Sequence, residues 1–221
     1  MKTDSDLKRD VLAELAYEPS IKAENIGVSV KDGVVTLNGN VPTYTEKFAA
    51  ETAAKRVAGV RAIAEELTVS LFGDHERNDS DIAQAAANAM AWNVSVPQGT
   101  VKMMVENGWI TLRGVVEWHY QREAAHDAVR HLMGVKGVTN LMGVKTPATP
   151  SVSTVEVHGK IEAALKRNMM KDSNGITVEA KDGKVKLHGK VQSWEEHDDA
   201  GLAAWSAPGV TAVENDIQVI Y

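Results

Sequence analysis

KDGVVTLNGNV, residues 31–41, returns as ENGWITLRGVV at 106–116 and as KDGKVKLHGKV at 181–191. Gly33 becomes Gly108 and Gly183, Leu37 becomes Leu112 and Leu187, and Gly39 becomes Gly114 and Gly189. Each step is 75 residues (108 − 33 and 183 − 108), with no gap. A fixed period of this length marks one supersecondary unit built repeatedly. The 221 residues therefore divide into three units, placed at 1–71, 78–146 and 153–221.

The residues on either side of this stretch supply the other elements of one unit. Asp32-Gly33, Asn107-Gly108 and Asp182-Gly183 are dipeptides that accept positive φ at both central positions, as a two-residue hairpin requires. Alternating apolar residues flank each turn: Ile26, Val28 and Val30 before the first, Val35 and Leu37 after it. Such alternation puts them on one face of a sheet. Gly39, Gly114 and Gly189 then mark a bulge or a close backbone approach.

Upstream, Leu7, Val11 and Leu15 recur as Ile82, Ala86 and Met90, then as Val157, Ile161 and Leu165, the spacing of one helix face. Ser5 and Ser80 sit where an N-cap would help, with Thr154 serving in the third copy. Downstream comes an alanine-rich helix, begun by capping-box spacing in TYTE (43–46) and SWEE (193–196). Copy two has Trp118 at that position and is expected to lack the device. The helix stops at Gly59, Gly134 and Gly209, and a third strand follows. The expected fold is α+β: three tandem α-β-β-α-β modules, each a three-stranded sheet with two helices on one face. The linkers are FGDHERND (72–79) and TPATPSVST (146–154), the second expected to be extended.

The net charge is −6, divided as 9 − 11 = −2 over residues 1–73, 7 − 8 = −1 over 74–146 and 8 − 11 = −3 over 147–221. No copy is basic, which disfavours a phosphate-backbone binder. There is no cysteine, so thiolate chemistry is excluded. The opening MKTDSDLKRDVLAEL is amphipathic and unlike a secretory leader, which leads to a cytoplasmic expectation. A leader removed before Met1 would make the location periplasmic instead.

The xLxGxV pattern, the following helix and a closing GVxxVxNxLxV resemble the BON domain of bacterial osmotically inducible and nodulation proteins. NGWITLRGVV with GVKGVTNLMGV is the fullest copy; GVTAVENDIQV keeps the asparagine as Asn215, and copy one has Glu65 there. The resemblance covers nearly the whole chain. It implies a non-catalytic binding or anchoring protein, often stress-associated, with phospholipid surfaces or protein partners as its targets. The alternatives are a chaperone-like interaction scaffold without lipid affinity and, more weakly, a KH-like RNA binder. The last is suggested only by GVKG at 134–137, which here joins a helix to a strand in a copy that is not basic.

No catalytic, metal or cofactor site is expected. EEHDD (195–199) with His188 reads as a solvated helix start, and no nucleophile–base arrangement stands out. Gly33, Gly39, Gly108, Gly114, Gly183 and Gly189 read as backbone geometry, and Asn140 and Asn215 as structural amides. The copies differ on the outward sheet face. It carries Glu179, Lys181, Lys184, Lys186, Glu214 and Asp216 in copy three, but Met104, Trp109 and Leu141 in copy two. These three are candidates for one apolar contact patch. Aromatic rings before the second helix, Tyr44, Trp118, Tyr120 and Trp194, are candidates for a membrane interface or a partner surface. A homo-oligomer is compatible with either.

Overall fold

The computed structural model describes residues 2–71, 73, 76–145, 154–168 and 175–220. Most of the 146–154 linker, expected to be extended, lies outside them. The elements run α1 (Asp4–Tyr17), β1 (Ile26–Lys31), β2 (Val34–Val41), α2 (Tyr44–Arg56), β3 (Ala62–Val69) in the first module. The second has α3 (Asp79–Trp92), β4 (Val101–Glu106), β5 (Trp109–Val116), α4 (His119–Arg130) and β6 (Gly137–Val144). The third has α5 (Thr154–Asn168), β7 (Thr177–Lys181), β8 (Lys184–Val191), α6 (Trp194–Trp205) and β9 (Ala212–Val219).

Each module forms its own three-stranded sheet, with the strand after the hairpin in the middle. β4 runs antiparallel to β5 and β5 parallel to β6. The same pattern joins β7, β8 and β9. In the second module Ile82, Ala86 and Met90 of α3 meet Ala125 and Val129 of α4 over Ile110, Leu112 and Met142 of the sheet. Val157, Ile161 and Leu165 play the α3 part in the third module, above Val185, Leu187 and Ile217. Both helices thus cover one face, as the alternation required.

The turns take the expected conformation: Asp32, Asn107 and Asp182 have φ of 51°, 52° and 50°, with Gly33, Gly108 and Gly183 also positive. Two of them are held by a carboxylate from the start of the module's first helix. Both carboxylate oxygens of Asp79, the first residue of α3, accept from the backbone N–H groups of Asn107 and Gly108 at 2.8 Å. Asp4 does the same for Asp32 and Gly33 at 2.9 and 3.0 Å. The first helix is thereby pinned to the hairpin tip.

Three expectations about helix starts need correction. The N-caps are Thr3 and Asn78, whose side chains accept from the N–H of Asp6 and Asp81, so Ser5 and Ser80 lie inside the helices. Placing the caps two residues earlier frees Asp4 and Asp79 for the turns. α5 starts at Thr154 itself, which makes it a helical residue. Copy two does not lack a capping device: Gln121 Oε1 accepts from the N–H of Glu117 and of Trp118, both at 3.0 Å. An indole N–H donates and cannot accept from a backbone N–H, so only this backward half of the box exists there.

Contacts divide the chain into two compact units: Met1–Gly39, Ala49–Glu66 and Ala148–Tyr221 form one, Asn40–Phe48 and Leu67–Pro147 the other. In the second unit, Tyr44 packs against the 82–142 core. There, too, the Arg130 guanidinium lies 4.3 Å from the centre of the Phe48 ring. In the first unit, Lys55 pairs with Asp198 at 3.2 Å and Gly59 N–H donates to Gln192 O at 3.1 Å. Lys55 and Arg130 are 75 positions apart, as are the repeats, so one helix position serves both contacts.

Asp79→Ala should lower stability by about 1–3 kcal/mol, the scale of losing charge-assisted hydrogen bonds to a turn. Urea unfolding measures it, with Asp81→Ala, an acid on the same helical turn that leaves the hairpin untouched, as the comparison.

Candidate functional site

Asn140 Nδ2 donates to Arg122 O at 3.0 Å, and its Oδ1 accepts from Met142 N–H at 3.1 Å. Asn215 repeats this with His197 O at 2.7 Å and Ile217 N–H at 3.4 Å. Each amide ties the third strand to the first turn of the second helix. In copy one the tie is reversed: Lys47 Nζ reaches from the helix to Leu67 O at 2.8 Å. The asparagines are therefore occupied by the fold.

Met104, Trp109 and Leu141 all project from the uncovered face of the second sheet, 54%, 46% and 55% exposed. They do not touch in ladder order. Met104 sits opposite Thr111, Leu141 beside Arg113, and Trp109 beside Gly137. The indole lies across Gly137, where a Cβ would collide with it, and donates from Nε1 to Thr139 Oγ1 at 2.8 Å. Trp109 is thus laid flat on the sheet while its outer surface stays open. In the third module the corresponding centre of the face is Lys186, held by Glu214 at 3.1 Å and Asp216 at 3.0 Å.

The aromatic rings before the second helices fall into two groups. Tyr44 is half-buried against the core of the second module, and Trp194 is half-buried with its ring edge-on to His197 at 5.0 Å. Trp118 is half-buried, whereas Tyr120 is exposed. The structure adds two residues that the sequence reading passed over. Trp92 closes α3 at 88% exposed, and Val94 follows fully exposed. Trp92 is also 75 positions beyond Tyr17, itself exposed, and that register is the signal that could have found it. Because α3 starts at the hairpin tip, its C-terminus lies at the opposite end of the module, where β5 ends and α4 begins. Trp92, Val94, Val115, Trp118 and Tyr120 are gathered at that end by the topology. An apolar recess of about 170 Å³, between Met90, Val96, Pro97 and Met103, opens beside it.

Burial, helped by the Arg122 charge and opposed by Glu123, holds the His119 imidazole below the ordinary histidine range. His131 is lowered in the same way, by burial and Arg130 against Asp127. Glu195 is raised by burial and by Asp199, and Asp199 by burial and by Asp198. Burial works to lower Lys55, but Glu51 and Asp198 outweigh it and raise it. No group of three or more histidine or acidic side chains is placed to hold a metal among the described residues. None of their helices is long and apolar enough to cross a membrane.

The repeat, the paired hairpin and the two-helix cover define a small α+β module built three times. The BON domain model matches residues 3–70, 78–146 and 153–221, and the chain belongs to the BON domain family. It is similar to osmotically-inducible protein Y of Escherichia coli K12, 29% identical over 148 residues that span 64% of this chain and 73% of that protein. It is also similar to the outer membrane lipoprotein DolP of Haemophilus influenzae, 33% identical over 138 residues, 61% of this chain and 71% of that one. The C-terminal domain of CdsD, a structural protein of the Chlamydia trachomatis type III secretion system, aligns over 100% of both chains at 13% identity with a TM-score of 0.27. Likeness at that level adds nothing to the assignment. The two relatives are named for osmotic induction and for the outer membrane, not for a reaction. The cytoplasmic expectation finds no support among them.

Because the folded His119 pKa lies below its unfolded value, its contribution to stability is complete above the unfolded value and is lost as pH falls from there through the folded one. His119→Gln should therefore flatten the fall in urea stability between about pH 7 and pH 5.

Proposed function

We infer that the protein is a non-catalytic anchoring module of the bacterial envelope that attaches to phospholipid surfaces through its second BON domain. One observation carries this reading. Among the described residues, eight of the thirteen exposed large hydrophobic side chains belong to the second module: Trp92, Val94, Met104, Trp109, Val115, Tyr120, Met133 and Leu141. Concentrations of exposed apolar surface usually mark contact sites. Tryptophan and tyrosine with one wet edge suit the water–hydrocarbon boundary.

The magnitudes fit a reversible attachment. Removing one such side chain from water contributes roughly 1.5–3 kcal/mol. Two or three of them inserted together give a peripheral association and not a permanent anchor. The name of the DolP relative supports an envelope location, and the name of the osmotically inducible relative supports a role in stress. The competing reading, a protein-interaction scaffold without lipid affinity, is favoured by the use of Tyr44 and Phe48 in contacts within the chain.

Flotation of the full chain with phospholipid vesicles separates the two readings. Vesicle association and a blue-shifted tryptophan emission are expected for the wild type. Both should weaken at least severalfold, on the scale of one buried side chain, in Trp92→Ala and Trp109→Ala. Absence of wild-type binding to every lipid composition would favour the protein scaffold.

A further inference from the structure

β4 is the edge of its sheet: among the described residues its one ladder partner is β5. A two-residue hairpin closes on a pair that exchanges both hydrogen bonds, here Glu106 with Trp109. The phase of the ladder follows. Glu106, Met104 and Lys102 bond to β5, and Val105, Met103 and Val101 turn their N–H and C=O groups outward. An edge with free backbone groups is a template for another strand. This edge is also incompletely covered. Met103 is half-buried, at the position where Val28 and Val178 of the sister modules are buried. The recess of about 170 Å³ lies between α3 and the side chains of Val101 and Met103.

The side chains of the edge say which strand would fit. Lys102, Met104 and Glu106 point to the uncovered face and are exposed. Laid antiparallel to itself about Met104, the strand sets Lys102 against Glu106 of a second copy and Glu106 against Lys102. Met104 meets its own counterpart between them. In that register Met103 and Val105 oppose each other with their outward N–H and C=O groups aligned. The charged pairs fall at the closer positions without backbone hydrogen bonds. Opposite charges directly across a ladder attract, and like charges repel. Lys102 already faces Arg113 on β5, so the incoming carboxylate relieves a repulsion within each chain. A slip of two residues in either direction loses both charge pairs. We propose that β4 pairs antiparallel with β4 of a second copy of this chain, joining two second modules through one continuous sheet.

The sister modules do not offer this match. Paired in the same way, the first would set Gly27 against Lys31 and Ser29 against itself. The third would bring Glu179 against Glu179 of the copy, a like-charge pair, and Thr177 against Lys181. The contact runs edge to edge, so Trp109 and Leu141 on the open face stay free and the pairing does not rest on the membrane reading. An edge of 6 residues is small for an interface, so the dimer is reversible and grows with concentration.

Sedimentation equilibrium of the full chain, without lipid, over a range of protein concentrations tests this. Wild type is expected to pass from monomer to dimer. Lys102→Glu and Glu106→Lys, each alone, should weaken the dimer by roughly tenfold, the scale of two cross-strand charge pairs turned from attraction to repulsion. An equal mixture of the two variants should regain wild-type association, because the pairs across a mixed dimer are again opposite in sign. That recovery also shows that both variants fold. Lys181→Glu, a charge change of the same size on the edge of the third module, should leave association unchanged. Amide exchange at Met103 and Val105 should slow as concentration rises. A wild type that stays monomeric at the highest concentration reached overturns the proposal. So does a dimer indifferent to K102E and E106K, equal weakening by K181E, a mixture that fails to recover, or exchange at Met103 and Val105 that is the same in monomer and dimer.

Discussion

Each module depends on one close approach of backbone to backbone. Gly39, Gly114 and Gly189 have φ of 132°, 144° and 153°, and a Cβ at any of them would collide with the carbonyl oxygen of Asn25, Thr100 or Gly175. That carbonyl belongs to the residue just before the first strand or, in the third copy, two residues before it. The contact lets the long central strand bend past the start of its neighbour. It then delivers Val41, Val116 and Val191 to the core at the point where the second helix begins. Only glycine permits it without strain. The alanine helix, the C-terminal glycine stop and the third strand all follow from where that bend leaves the chain.

Much of this was legible in the sequence because the determinants are local and occur three times. Period-two alternation, Asp-Gly or Asn-Gly turns and glycine stops each state a backbone geometry in a few residues, and the repeat averages out accidental matches. What remained hidden was non-local. Asp4 and Asp79 serve hairpins 28 and 29 positions away, and nothing in the spacing of a helix start announces such a partner. The backward half of the copy-two cap depends on a glutamine whose side chain folds onto two N–H groups, which a search for a Ser or Thr cap overlooks. The amides of Asn140 and Asn215 reach helix partners 18 positions back, which no local pattern announces.

The candidate site was legible only in part for a similar reason. Alternation placed Met104, Trp109 and Leu141 on the uncovered face, where they lie. It could not say that Trp109 would recline on Gly137 and Thr139, or that threonines would separate the three. Trp92 and Val94 were missed because the apolar periodicity of α3 runs out just before them. Residues beyond the last periodic position look like loop, and only the path of the chain shows that they end at the same place as Trp118 and Tyr120. The copies have thus diverged on one framework. The first commits Tyr44 and Phe48 to contacts with residues of the second module, the third balances its sheet face with ion pairs, and the second leaves apolar side chains exposed on its own.

The proposed attachment to a lipid surface is confined to the second BON domain. Hydrogen exchange of the full chain, with and without anionic phospholipid vesicles, tests it most directly, because amide protection reports which segments are covered or stiffened. The expected result is added protection in the segments around Trp92, Val94, Trp109, Val115 and Tyr120, with the first and third sheets unchanged. Protection centred on the third sheet, spread evenly over all three modules, or absent despite vesicle binding would contradict it.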